Sequence, residues 1–527
     1  MRCLVLLGVL ALLLTFSCNS KDKTKESNAE SLPATQLSGK ELAHIHCGRC
    51  HAFVKPEMLP RTSWKNDVLP AMGNRLGIYN GKHQPDSIFG SPLSRPLIEK
   101  AGIFPEAPVL AKADWEKLVG YYLDNAGDTL VEPSANAPIL QRLEHFVARE
   151  PKYANVPAFT TMVKIRSGHK GLVFSDSKPR GSTLTFLDTD LKKEHALPFR
   201  NALIDYREKG DTVYLTAVGR NIFPSNLSNG SVQKVSLDEK DIRKSSKITI
   251  ISKMQRLADV VYGDLNGDGL EDVLACEFGD LVGKLTWFKN LGNNTYEQHI
   301  LRESPGAVSA IIQDYDADGD NDVFVLMAQG DEGVFYYENM GKGTFSAKRI
   351  LRFSPLNGSQ YMELADLNAD GLDDIVYVCG DNADKTPILK DYHGIYIFMN
   401  TGNLNFEQRF FYPLNGAYKA MARDFDLDGD LDLAAISYFP DYRDCPEESF
   451  VYLENMGGLK FQGRSFPQSQ RGRWMVMDAG DIDADGDIDI ALGSFVYFLA
   501  KGDTTGLSKR WLKESPSVLL LENTTRP

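Results

Sequence analysis

Asp424-Phe425-Asp426-Leu427-Asp428-Gly429-Asp430-Leu431-Asp432 decides the fold, because this acidic pattern occurs five times. The other copies are Asp264-Leu-Asn266-Gly-Asp268-Gly269-Leu-Glu-Asp272, Asp314-Tyr-Asp316-Ala-Asp318-Gly319-Asp-Asn-Asp322, Asp366-Leu-Asn368-Ala-Asp370-Gly371-Leu-Asp-Asp374 and Asp481-Ile-Asp483-Ala-Asp485-Gly486-Asp-Ile-Asp489. Positions 1, 3, 5 and 9 offer side-chain oxygens and position 7 a backbone carbonyl, a donor set that suits Ca²⁺, while glycine at position 6 permits a sharp turn. Of the 20 side-chain ligand positions, 18 are Asp and two are Asn. Carboxylates at that density repel one another unless a cation lies among them. An EF-hand is excluded, since its loop needs a bidentate Glu at position 12 and helices on both sides. Position 12 here is Ala275, Val325, Tyr377, Ala435 or Leu492, and the segments that follow, such as Asp322-Val-Phe-Val-Leu-Met327, read as buried strands.

The copies begin 50, 52, 58 and 57 residues apart, the period of propeller blades. Asn-x-Gly recurs with them at Asn290, Asn339, Asn400 and Asn455, followed six residues later by Tyr296, Phe345, Phe406 and Phe461. Each unit therefore reads as acidic loop, buried strand, strand ending in an Asn-Gly turn, and aromatic-led outer strand. One unit cannot bury both its faces, but a ring of them can. On these motifs, residues from about 255 to 527 resemble the FG-GAP/VCBS family of calcium-binding repeats, which implies an integrin-type β-propeller with about five Ca²⁺ ions. Residues 155–254 carry strand patterns, Gly171-Leu-Val-Phe174 and Asp211-Thr-Val-Tyr-Leu-Thr216, without an acidic loop. They have room for two degenerate blades, which predicts a seven-bladed all-β propeller over 155–527. Ser517-Val-Leu-Leu-Leu-Glu-Asn523 matches the strand before each Asn-x-Gly, so the last blade needs an outer strand from elsewhere. A strand from residues 155–170 is expected to close the ring and remove the exposed edges.

From each loop to its Asn landmark the spacing is 26 and 25 residues in the first two copies, then 34, 31 and 42. The extra residues, Asp381 to His393, Ser437 to Glu448 and Ser494 to Pro516, fall in the same inter-strand connection and should crowd one face. They carry Lys385, Tyr392, His393, Tyr438, Asp441, Tyr442, Arg443, Tyr497, Lys509, Arg510 and Trp511, a mixture suited to a glycan or protein ligand.

Cys47-Gly48-Arg49-Cys50-His51 is a covalent haem attachment signature. Two thiols three residues apart share one turn of a helix and can add to the two vinyl groups of one haem, and the next His ligates its iron. A redox Cys-x-x-Cys needs a preceding strand, and a zinc knuckle needs a second ligand pair; the sequence supplies neither. Together with Lys112-Ala-Asp114-Trp115-Glu-Lys-Leu-Val-Gly-Tyr121-Tyr122-Leu-Asp-Asn125, which has helical apolar spacing, this makes residues 37–128 similar to a small all-α, class I-like cytochrome c, with the domain drawn at 37–130. The resemblance implies a distal Met. Met72 in Leu69-Pro70-Ala-Met72-Gly73 is preferred over Met58, which lies only seven residues past His51 and has little chain to reach the opposite haem face. His44, His46 and His83 are weaker candidates.

Met1-Arg2 with the apolar run Leu4 to Phe16 suits a secretory signal over residues 1–18. Leu14-Thr15-Phe16-Ser17-Cys18 resembles a bacterial lipobox, with Cys18 acylated and the membrane reached through that lipid. Residues 19–36 read as a flexible tether and 131–154 as a linker. Cys276, Cys379 and Cys445 remain, which allows at most one disulfide. A net charge of -13 argues against nucleic-acid partners. No nucleophile–base pairing stands out, so no catalytic residue is assigned. The chain reads as an exported electron carrier, periplasmic or at the cell surface, serving a redox protein or quinone-linked donor. The alternative is a propeller that acts as a sugar or alcohol dehydrogenase and passes electrons to the fused haem.

Overall fold

Each acidic nonapeptide ends on the first residue of a fully buried strand, and that junction sets the architecture. In the computed structural model, which describes residues 32–79, 92–130, 138–153, 155–166, 170–220, 222–237, 244–383, 388–497 and 503–526, seven four-stranded antiparallel sheets form a seven-bladed β-propeller. The first strand of each blade lines the axis: Thr160–Ile165, Ala202–Lys209, Asp259–Gly263, Ala307–Gln313, Ser359–Ala365, Ala417–Arg423 and Trp474–Gly480. The second strands of blades 3 to 7 are Asp272–Glu277, Asp322–Met327, Asp374–Cys379, Asp432–Ser437 and Asp489–Ser494, buried at every residue. Continuous apolar runs are what a strand covered on both faces requires. An apolar cluster fills each gap between neighbouring blades, including the one between the last and the first.

Blades 1 and 2 occupy the span that lacks acidic loops, as expected. The ring closes differently. Residues Thr160–Ile165 form the inner strand of blade 1, and the outer strand of blade 7 is Phe146–Arg149, within the stretch read as a linker. It pairs antiparallel with Val518–Asn523, setting Phe146 opposite Asn523 and Ala148 opposite Leu521. The Phe146 ring packs edge-on against Phe425 and Tyr452 of blade 6, at 6.0 and 5.8 Å.

Ahead of the ring, Gly39–Cys47 and Lys112–Asn125 pack against each other around Leu42, Ala43, Leu118 and Tyr122. Ser38 caps the first helix, and Glu41 reaches back to the Ser38 N–H at 2.8 Å, a complete capping box. Gly39 makes the close crossing: a Cβ there would lie 2.1 Å from the Lys117 carbonyl oxygen. Leu356 and Ile388 of the propeller join this helical core, and the Tyr392 hydroxyl donates to the Met58 carbonyl at 3.5 Å. The helices therefore sit on the propeller face formed by the connections between second and third strands. Among the described residues no helix is long and apolar enough to cross a membrane. The leader with Cys18, together with His83 and Lys385, lies outside the described residues.

Phe146→Ala should lower the unfolding free energy of the propeller by about 3 kcal/mol, read as a lower urea midpoint; an unchanged midpoint would remove this strand from the ring. Gly39→Val should cost about 2 kcal/mol through overpacking and lower the helical melting transition at 222 nm by roughly 10 °C. If that transition stays put, the helices do not cross at Gly39.

Candidate functional site

Three groups of residues carry chemistry. The first is the set of acidic loops. In all five, the N–H of the position-6 glycine donates to the position-1 carboxylate, at 2.7 Å for Gly269, 3.1 Å for Gly319, 2.8 Å for Gly371, 3.2 Å for Gly429 and 3.0 Å for Gly486. The chain folds around the carboxylates in a left-handed step, and the step at position 4 falls on ordinary residues. Ala317, Ala369, Leu427 and Ala484 have φ of 59, 57, 61 and 67°. Each costs about 1–2 kcal/mol, strain of a kind that is kept where function needs it. In three loops the carboxylate oxygens at positions 1, 3 and 5 converge within 4.8 Å: Asp314, Asp316 and Asp318; Asp424, Asp426 and Asp428; Asp481, Asp483 and Asp485. Asn266 and Asn368 take position 3 in the other two, between Asp264 and Asp268 and between Asp366 and Asp370. Asp424 Oδ1 is buried with no hydrogen-bond partner among the described residues, an acceptor aimed into an anionic loop.

Position 9 behaves differently from the other loop carboxylates. Asp272, Asp322, Asp374, Asp432 and Asp489 are at most 1% exposed, and each accepts the N–H of the landmark Asn at 2.7–2.8 Å. The second oxygen accepts from loop position 2, as in Leu265 N–H to Asp272 at 3.1 Å. Burial pushes Asp432 and Asp489 up to about 7, against the pull of these hydrogen bonds. The landmark Asn side chain closes its own turn and also stitches blades: Asn339 Nδ2 donates to Leu265 O at 3.0 Å and Asn523 Nδ2 to Phe425 O at 2.7 Å.

The second group is at the end of the first helix. Cys47 is half-buried, Cys50 is exposed, and both are free thiols. Burial raises the Cys47 thiol, while Tyr122 beside it lowers it. His51 Nδ1 lies 2.7 Å from the Ala52 carbonyl oxygen, which can only accept, so Nδ1–H donates and the lone pair of the neutral ring lies on Nε2. Met72 sits on the helix Leu69–Arg75, one turn before Arg75 and on the same face. Arg75 lies within electrostatic reach of both Cys50 and Asp280 of the propeller. Met58 instead packs into the helical core, and His44 stacks on Phe53 at 3.8 Å. Burial, with Arg49 adding to it, lowers His46.

The third group was not legible in the repeats. An axial cavity of about 1350 Å³ opens on the face that carries the helices. Its floor is set by the inner strands, where Lys164 Nζ lies 3.5 Å from Asp205 and 4.0 Å from Asp478. Lys419 donates to the Met477 carbonyl at 2.9 Å, and its ammonium stands 5.0 Å from the Tyr361 ring. On the walls the Arg256 guanidinium lies over Phe278 at 4.8 Å and Arg473 over Tyr438 at 3.8 Å. Burial pushes Asp259 up to about 6. The long connections do crowd this face, but not as a simple aromatic surface. Tyr438, Tyr442 and Trp511 are buried in a small cluster with Phe159 and Phe495, and His393 is buried too. Tyr392 and Asp441 are half-buried, while Arg443, Tyr497, Lys509 and Arg510 stay exposed.

A family model described as the FG-GAP-like repeat matches residues 264–325 and 314–377. No curated protein matches the chain. Among solved structures, a chain from an S. cerevisiae complex of dbp5 with nup159, gle1, ip6 and adp is 11% identical over 74% of this chain and 98% of its own, with a TM-score of 0.40. The N-terminal domain of Nup159 gives 11%, 74%, 98% and 0.41. An ancestral GH74 enzyme gives 10% identity over 69% of this chain and 48% of its own, with a TM-score of 0.44. The matched segments coincide with the acidic loops and strands of blades 3 to 5 of this seven-bladed β-propeller, and those repeats are similar to the FG-GAP-like repeat.

Proposed function

We propose that the protein is an exported, lipid-anchored c-type cytochrome that transfers electrons, built on a calcium-stabilised propeller that binds a ligand or partner. The observation that carries the haem assignment is the pairing of two free thiols with a His51 ring whose Nδ1 is already held by a carbonyl. Cys47 and Cys50 would hold the group through their thiols, and His51 would offer Nε2 to it. Haem, when bound, supplies one-electron chemistry. Met72, on the helix Leu69–Arg75, would be a second protein ligand to the group, and a site so held favours electron transfer over oxygen chemistry. Cys18 at the end of the leader carries the lipid, and the electron comes from a redox protein or quinone-linked donor.

Calcium fits on three grounds: carboxylates that converge in three of the loops, an orphaned buried oxygen on Asp424 in one of them, and left-handed backbone at position 4 in all five. The position-9 carboxylates would be shared between ion and backbone.

A second reading has the propeller oxidise a sugar or alcohol and feed the haem. It is favoured by one placement, since Asp280 and Ile388 line the axial cavity and also approach the helices. Reduction of the haem by a sugar or alcohol panel, with and without quinone, separates the two; substrate-dependent reduction selects the second.

The reduced protein should show a low-spin c-type spectrum, with the haem retained on a denaturing gel and lost from it in a Cys47→Ser, Cys50→Ser double variant. Met72→Ala should turn the spectrum high-spin, and an unchanged spectrum would exclude Met72. Chelation should lower the propeller melting temperature, since each site filled to 100 times its dissociation constant contributes about 2.7 kcal/mol. Titration should return about five ions, one per loop, and a melt indifferent to chelator would exclude metal.

A further inference from the structure

We propose that the axial cavity is the binding site for a neutral oligosaccharide. This deepens, and rests on, the reading of the propeller as the binding half of the protein. The cavity is a built site: it lies along the ring axis, and every blade contributes to its wall. Lys164 stands deep within the ring yet keeps 35% of its side chain accessible, so that surface faces the cavity and not the outside.

Its charge selects the ligand class. Five cationic side chains and five carboxylates line it, so the walls are rich in donors and acceptors but close to neutral. A nucleotide or other polyanion would meet Asp205, Asp259 and Asp280, and a polycation would meet Lys164, Arg256 and Lys419. Like-charge contacts along these walls oppose both. A neutral ligand with many hydroxyls can instead donate to the carboxylates and accept from the cations without opposing the charge of either.

Its aromatics agree. Eight aromatic side chains line the cavity, of which Phe223, Phe278, Tyr361, Tyr418 and Phe439 are only half-buried and keep some ring surface accessible. The electron-rich face of an aromatic ring accommodates the C–H face of a sugar ring. Size argues against a single sugar. A volume of about 1350 Å³ exceeds the range of drug-sized pockets, about 300–1,000 Å³.

The test is calorimetric titration of the full-length protein with neutral tetrasaccharides of glucose, xylose and mannose, beside tetragalacturonate and a glucosamine tetramer as charged probes. Saturable binding of at least one neutral tetrasaccharide, weakened at least tenfold by Phe278→Ala and by Asp280→Asn, is expected. Asp280→Asn preserves side-chain size and carries the test if Phe278→Ala does not fold. Binding of none of the neutral probes, preference for a charged one, or unaltered binding in Asp280→Asn would overturn the assignment. The haem spectrum of the same sample reports separately on electron transfer. A protein partner retained by a preparation that ignores every sugar would keep the binding role and remove only this ligand.

Discussion

One buried carboxylate per blade holds the later part of this ring together. At position 9 of each acidic loop, an Asp with no more than 1% of its surface exposed ties the loop's second residue and the end of the third strand to the start of the second strand. A lone carboxylate buried this deeply would be costly. Here each oxygen accepts a backbone N–H, and in blades 4 and 6 the Tyr336 and Tyr452 hydroxyls add a third donor at 2.7 and 2.6 Å. Loop, turn and strand therefore share a single anchor. The alternating apolar clusters between blades follow from it, because the anchor sets which residues of the second strand face each neighbour.

Much of this was written in the repeat spacing. Acidic loop, Asn-x-Gly and trailing aromatic recur together because they meet in space: the Asp accepts from the Asn backbone, and the Asn amide closes its own turn. A signal made of mutually bonded residues is legible at any sequence identity. The closing strand had no such signal. Phe146-Val147-Ala148-Arg149 is four residues long, without loop, turn or alternation, and its partner is set by tertiary pairing alone. The axial charges were hidden for a related reason. Lys164, Asp205, Asp259 and Lys419 fall on inner strands from different blades, so only the ring brings them together.

The helical segment shows the same contrast. Helices ending at Cys47 and spanning Lys112–Asn125 were evident from the pattern, but the two thiols do not share a helical turn: Cys50 and His51 lie in the turn past the C-cap Gly48. The docking of this segment was not evident, for Leu356, Ile388 and Tyr392 come from propeller connections with no mark of their own. The long connections were rightly set on one face, yet they spend Tyr438, Tyr442 and Trp511 on packing and leave the charged residues outward. Long loops in a compact ring need a core of their own, and aromatic side chains supply it.

The closing strand also dictates an order of assembly. Arg149 and Glu522, ion-paired across the seam of blade 7, are 373 residues apart. During synthesis the first part of the ring emerges long before its last partner exists. Until the final residues leave the ribosome, the nascent chain holds a row of unpaired backbone groups at each end of an open arc.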